Sequence, residues 1–164
     1  MYQFKEKNQS AFPRGYFGIA ILSPKCELNV GVLWRTASLF KASFIATVGE
    51  RRYKTNNSDT MKSWKHMPLF HYESLEEFKN HIPKDCSLIG VELTQEARLL
   101  QTFIHPERAV YLLGSEDYGI PSEMHKEMDM MIQIETPINV SLNVGVAGSI
   151  IIYDRNLKSN FKGI

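Results

Sequence analysis

Apolar residues fall into short unbroken runs bounded by turn residues, and each run predicts a buried strand. The runs are Tyr16–Leu22 (YFGIAIL), Phe44–Val48 (FIATV), Leu69–Tyr72, Leu88–Leu93 (LIGVEL), Ala109–Leu113 (AVYLL) and Met130–Ile134. Helical spacing fills the gaps between them. Asn29 is placed to cap a helix through NVGVLWRTASLFK, with Val32, Leu33, Thr36, Leu39 and Phe40 on its apolar face. Ser74 followed by Glu77 is a capping box, which predicts a helix over 75–81. A short helix is expected near 98–103, and Pro121 suits the start of another at PSEMHKEM. Residues 134–154 read as a strand end passing into the closing helix without a proper loop. Gly145, Ala147, Gly148 and Ser149 leave that helix flat, and each Gly costs about 1 kcal/mol against Ala, so a backbone or a ligand is expected close by. Ile150, Ile151, Ile152 and Tyr153 form a run expected to be buried.

Strands apolar on both faces, alternating with helices, predict an α/β fold: a parallel, Rossmann-like sheet covered by helices on both sides. Such sheets bind ligands outside the carboxyl ends of their strands. Three polar stretches fall there, at 23–35, 114–119 and 135–143, and they are expected to converge.

The 164 residues suit one domain over 16–164, preceded by a polar arm at 1–15. The formal charge of +1 gives no global basic field, so any nucleic-acid contact must be local or shared between subunits. Cys26 and Cys86 match no metal spacing and read as thiols of a reducing compartment, with a single bridge left open. No apolar run reaches the ~20 residues of a membrane span, and the first residues lack a signal peptide's apolar centre. A cytoplasmic protein without metal is expected.

The loop at 114–119 has two glycines that let a ligand approach its backbone, but it matches neither common phosphate-cradling pattern. Glu116 and Asp117 would repel phosphate and suit a cation; S-adenosylmethionine, with its sulfonium and ammonium groups, is a candidate. Arg35 and Asn29 can hold an anion or hydroxyl, and Ser141 and Asn143 add neutral hydrogen-bonding groups. None of the five histidines lies in these stretches and no nucleophile–base set is visible, which argues against a hydrolase. Arg51, Arg52, Tyr53 and Lys54 read either as a solvated loop or as an RNA contact through phosphate and stacking.

The pattern N-x-G-x-x-x-R-T-A at Asn29–Ala37, L-L-G-S-E-x-x-G-I at Leu112–Ile120 and S-L-N-V at Ser141–Val144 resembles the SpoU (TrmH) family of the SPOUT superfamily. The resemblance covers about residues 16–157. It implies a ribose 2′-O-methyltransferase of tRNA or rRNA that uses S-adenosylmethionine. It implies a C-terminal deep trefoil knot, a rare exception to unthreaded chains, with the cofactor between 88–93, 114–119 and 134–144. It also implies a homodimer packed partly through the C-terminal helix, with active sites near the interface. By resemblance Arg35 stands at the reacting hydroxyl, Asn29 and Glu116 position it and the substrate, and Ser141 and Asn143 join that cluster. Leu113, Gly114, Ile134 and Leu142 would hold the cofactor, with Glu92 at its border. Arg35 can act as base, or as an electrostatic partner of the developing alkoxide, the role its high pKa favours. Three departures stand out. Lys41 replaces a glycine common after the first helix, so that turn is expected to differ; Asp117 replaces another glycine; and Glu135-Thr136-Pro137 brings a charge to the cofactor's edge. A base methyltransferase of the superfamily and a silent RNA-binding module are the alternatives.

Overall fold

The structure is a computed structural model that describes residues 15–53 and 65–160. The arm up to residue 14, and Lys54, lie outside the described residues. Seven strands form one sheet, every pairing parallel: β1 (Tyr16–Leu22), β2 (Phe44–Val48), β3 (Leu69–Tyr72), β4 (Ser87–Val91), β5 (Arg98–Leu99), β6 (Arg108–Leu113) and β7 (Met130–Gln133). Their order is β3-β2-β1-β6-β4-β7-β5. The helices are α1 (Glu27–Leu39), α2 (Leu75–His81), α3 (Ser122–His125) and α4 (Val144–Asn160). Side chains alternate across the sheet. Phe17, Ile19 and Ile21 pack with Val30, Leu33, Trp34 and Ala37 of α1 and Ile151 and Ile152 of α4. Ala20 and Leu22 face the other layer, with Phe78 of α2 and Met124 of α3.

The expected parallel sheet is present, and several local expectations need correcting. Residues 98–99 are a short edge strand followed by a 3-10 turn at Leu100–Thr102, where a helix was expected. α1 starts at Glu27, so Asn29 lies buried in its first turn and does not cap it. Its sheet-facing set is Val30, Leu33, Trp34 and Ala37, while Val32 and Leu39 are 46% and 58% exposed. Thr36 turns toward α4 instead, its hydroxyl 3.0 Å from that of Ser149. Finally, a loop over 134–143 separates β7 from α4. Asn139, at φ +50°, breaks the chain direction there, and the Asn139 amide donates to Thr136. Ile151 and Ile152 are fully buried, but Tyr153 is 56% exposed on the opposite side of α4.

The small residues of α4 have the close neighbour they required. A Cβ on Gly148 would stand 2.5 Å from Leu33 Cδ1 and 2.8 Å from Leu113 Cδ1; one on Gly145 would stand 3.2 Å from the Asn29 carbonyl oxygen. A side chain at Gly148 would therefore force the Leu33 and Leu113 methyl groups out of the core packing between α4, α1 and the sheet.

Farther along, α4 is pinned by a buried polar chain. Arg155 Nη1 donates to Tyr111 Oη at 3.0 Å, and Tyr111 Oη lies 2.6 Å from His105 Nδ1. His105 Nε2 lies 2.8 Å from Asp154 Oδ2, which also accepts from Lys158. Arg155 further donates to the Pro106 and Glu107 carbonyls. Since Asp154 accepts, the proton sits on Nε2 and Nδ1 accepts from the tyrosine hydroxyl. Burial is the main cause that pushes His105 down to about 4, against the opposing pull of Asp154.

Because folded His105 binds its proton more weakly than the unfolded residue does, its contribution is complete above pH ~6.5 and lost as pH falls from there to about 4. The loss is about 3 kcal/mol. In denaturant titrations at pH 7 and 4.5, His105→Gln is expected to lose about 2–3 kcal/mol less than wild type over that interval. Equal losses would remove His105 from the account.

Lys41 closes α1 in the left-handed region, at φ +56°. The Lys41 amide donates to Ser38 and the Ala42 amide to Ala37, the paired bonds of a Schellman end. The turn is thus the one a glycine would make, formed by lysine against its steric preference. Lys41→Gly is expected to stabilise the protein by about 1 kcal/mol, raising Tm by roughly 2–4 °C; an unchanged or lower Tm would contradict that strain.

Candidate active site

Three loops meet where the sheet order reverses, beyond the carboxyl ends of β1 and β6. Asn143 Oδ1 accepts from the amides of Gly145 and Val146, at 2.9 and 3.3 Å, and so caps α4. Its Nδ2 must then serve as donor, and it donates to Asn29 Oδ1 at 2.9 Å. Asn29 Nδ2 in turn donates to Glu116 Oε1 at 2.9 Å. The Glu116 carboxylate also accepts from the amides of Lys25 (2.9 Å) and Cys26 (3.2 Å), ahead of α1. Burial raises the Glu116 pKa, but the bonds from the Lys25 amide, Asn29, its own amide and the Cys26 amide outweigh it and hold the carboxyl below its usual range. Glu116 is therefore an anion at the head of α1, where the helix dipole favours one.

Beside this chain lies a cleft of about 510 Å³. Leu113, Ile134, Leu142, Val144 and Ala147 supply apolar wall, and Gly114 and Ser115 present backbone and hydroxyl. Its charged lining residues are Glu92, Glu116 and Asp117, with no Lys, Arg or His among them. Glu92 is committed to structure: its carboxylate accepts from Leu93 (2.9 Å) and Ile120 (2.7 Å). A Cβ on Gly119, which sits at φ +62°, would fall 2.1 Å from that carboxylate. The loop between is closed by reciprocal Ser115 and Gly119 backbone bonds, each 3.0 Å.

The expected cofactor residues Glu92, Leu113, Gly114, Ile134 and Leu142 all line the cleft, as do Glu116, Ser141 and Asn143. Asn29 reaches it through Glu116 and Asn143. Arg35 does not line it: it is exposed on α1, without hydrogen bond or ion pair among the described residues. Asp117 pairs with Lys25 across the mouth. Arg51 pairs with Glu27 and Arg52 with Glu73, so both expected RNA contacts already have protein partners. The amides of Lys25 and Cys26 were missed, because no local pattern marks a backbone donor to a distant carboxylate. Tyr118, 81% exposed on the cleft's lining, was also missed at a variable position of its motif.

The sequence profile of the SpoU rRNA Methylase family matches residues 17–153. The chain belongs to that family. It is 29% identical over 136 residues to the mouse tRNA (guanosine(18)-2'-O)-methyltransferase TARBP1, which covers 77% of this chain and 8% of that protein. The chain thus spans under a tenth of the length of that curated relative. Among solved structures, the A. aeolicus TrmH/SpoU tRNA modifying enzyme superposes with a TM-score of 0.78 at 22% identity, covering 93% of this chain and 82% of that one. An AdoMet-bound rRNA methyltransferase from Sinorhizobium meliloti gives 0.77 at 22% identity, covering 87% and 56%. These likenesses establish the SpoU-type fold.

The directional chain makes a sharp demand on residue 29. Asn29→Asp replaces a donor by an anion facing Glu116, and is expected to cost about 2 kcal/mol at pH 7. Sharing a proton relieves the pair, so the deficit should shrink near pH 4–5. A pH-independent deficit in denaturant titrations would mean that Asn29 and Glu116 do not face each other.

Proposed function

We propose that this SpoU-family protein is an S-adenosylmethionine-dependent methyltransferase acting on the ribose 2′-hydroxyl of a nucleotide in tRNA or rRNA. The observation that carries the reading is the charge of the cleft: Glu92, Glu116 and Asp117 line it beside apolar wall, no Lys, Arg or His does, and Lys25 meets only Asp117, at the mouth. That donor set fits a ligand with an aromatic base and a cationic end, and it opposes a nucleotide phosphate. When bound, S-adenosylmethionine supplies a methyl group on a sulfonium. Leu113, Ile134 and Leu142 exclude water from it, Gly114 admits it close to the backbone, and the carboxylates favour its positive groups. Orientation is the main service such a displacement needs.

The hydroxyl must lose a proton as it is methylated. Arg35 stabilises the developing alkoxide as a guanidinium and does not act as a base, because guanidinium groups keep their charge in proteins. Its exposure points to a partner's cleft. Arg35 lies along α1 with exposed Leu28, Val32 and Leu39, next to a second exposed row on α4 made by Val146, Tyr153 and Leu157. A second copy covers both rows and receives Arg35, giving a homodimer with sites at its interface. The threaded C-terminus that goes with the family's fold belongs to the same reading. No helix among the described residues is long and apolar enough to cross a membrane, in keeping with a cytoplasmic enzyme of RNA.

Calorimetry should detect S-adenosylmethionine binding, and methylated bulk tRNA or rRNA should resist alkaline cleavage at the modified nucleotide. Alkali-labile product would indicate base methylation, and no cofactor binding would leave a silent RNA-binding fold. Mixing inactive Arg35→Ala with inactive Ala147→Leu subunits is expected to restore about a quarter of wild-type activity if each arginine serves its partner. No recovery would place Arg35 in its own subunit's site or outside the chemistry.

A further inference from the structure

The segment between β1 and α1 is gripped on both sides. On one side the amides of Lys25 and Cys26 donate to Glu116. On the other, the Tyr53 hydroxyl donates to the Pro24 carbonyl, and Arg51 Nη1 donates to the Lys25 carbonyl at 2.9 Å. Arg51 Nη2 also lies 3.5 Å from Glu27 Oε1, and its guanidinium carbon is 5.2 Å from the centre of the Tyr53 ring. Four successive polar groups of the backbone, from the Pro24 carbonyl to the Cys26 amide, are thus each held by a side chain from outside the segment. Asn29 follows within one turn of α1, so any tilt of the segment moves Asn29 against Glu116.

We propose that Arg51 and Tyr53 are positioning residues for the Asn29–Glu116 pair, not contacts to RNA phosphate or base. This rests on the reading of the cleft given above. Arg51 already meets a carbonyl, a carboxylate and a ring, and these contacts turn its guanidinium toward the segment. Tyr53 is buried and offers no face for a base to stack on. Lysine at 51 would keep the charge but lose the planar fork that reaches carbonyl and carboxylate together.

Amide titrations by NMR on the full-length protein decide this without RNA or turnover. The Lys25 and Cys26 amides report protonation of Glu116. Tyr53→Phe removes one hydrogen bond and no charge; it is expected to loosen the segment and move the Glu116 midpoint up toward the ordinary carboxylate range. Arg51→Lys should do the same. An unchanged midpoint in both would overturn the proposal. Binding of bulk tRNA across a salt series supplies the second arm: the slope is expected to stay at its wild-type value in Arg51→Ala. A slope smaller by about one counterion would make Arg51 a phosphate contact and sink the proposal. In methyl-transfer assays the same variants should lose turnover roughly ten- to hundred-fold with KM for RNA unchanged; a rise in KM alone would again favour direct contact. If no methyl transfer is found even for wild type, the functional reading fails while the Glu116 titration still tests the clamp.

Discussion

The site depends on one directional chain of hydrogen bonds. Two backbone amides of α4 fix the orientation of the Asn143 side chain, Asn143 fixes that of Asn29, and Asn29 delivers its donor to Glu116. The carboxylate finishes the chain by accepting two amides ahead of α1. Neither asparagine can flip without setting oxygen against oxygen or nitrogen against nitrogen. Segments about ninety residues apart in sequence are thereby held in one arrangement. The chain also joins the positive ends of two helices to a single anion, which makes Glu116 acidic without a metal or a basic side chain in contact with its oxygens.

That arrangement would drift if α4 could slide. Small residues prevent it near the start, where Gly145 and Gly148 let α4 sit directly against Asn29, Leu33 and Leu113. The buried chain through Arg155, Tyr111, His105 and Asp154 prevents it at the far end, by tying α4 to β6 and the loop before it. One helix is thus fixed at two places, and the cap at its start, Asn143, inherits that rigidity. Holding a buried arginine and histidine costs desolvation, which the bonds of the Arg155 Nη groups and of both His105 ring nitrogens offset.

The strands were legible because a sheet buried on both faces needs unbroken apolar runs, and β1, β2 and β3 fall on the expected residues. The Ser74 cap was legible because its partner is three residues away, although Glu77 reaches back to the Glu73 amide, one position beyond the capping box. What failed to show was set by distant partners. α1 begins two residues before Asn29 because Glu116 satisfies the amides ahead of it. Arg51 and Arg52 are exposed, as a solvated loop requires, but the carboxylates and the carbonyl they meet are distant in sequence and left no local mark, and Tyr53 is buried among them. Of the eight expected residues that line the cleft, six stand in two motifs, at 112–120 and 141–144, while Glu92 and Ile134 follow β4 and β7 outside any motif. Arg35 does not line it, and only the proposed second copy would bring it to a cleft.

The misassigned face of α1 carries a physical lesson. Val32 and Leu39 have the helical spacing of core residues, yet the sheet takes the set beginning at Val30. A helix with two apolar stripes needs two partners, and among the described residues α1 has one. Each large apolar side chain left in water forgoes about 1.5–3 kcal/mol of burial, and Leu28, Val32 and Leu39 adjoin a matching row on α4. Arg35 stands in the midst of that stripe, so burial of the stripe by the proposed second copy would also desolvate the guanidinium. A cation taken out of water is costly unless an anion meets it. The alkoxide that forms during methyl transfer is such an anion, which would make the interface and the chemistry parts of one electrostatic balance.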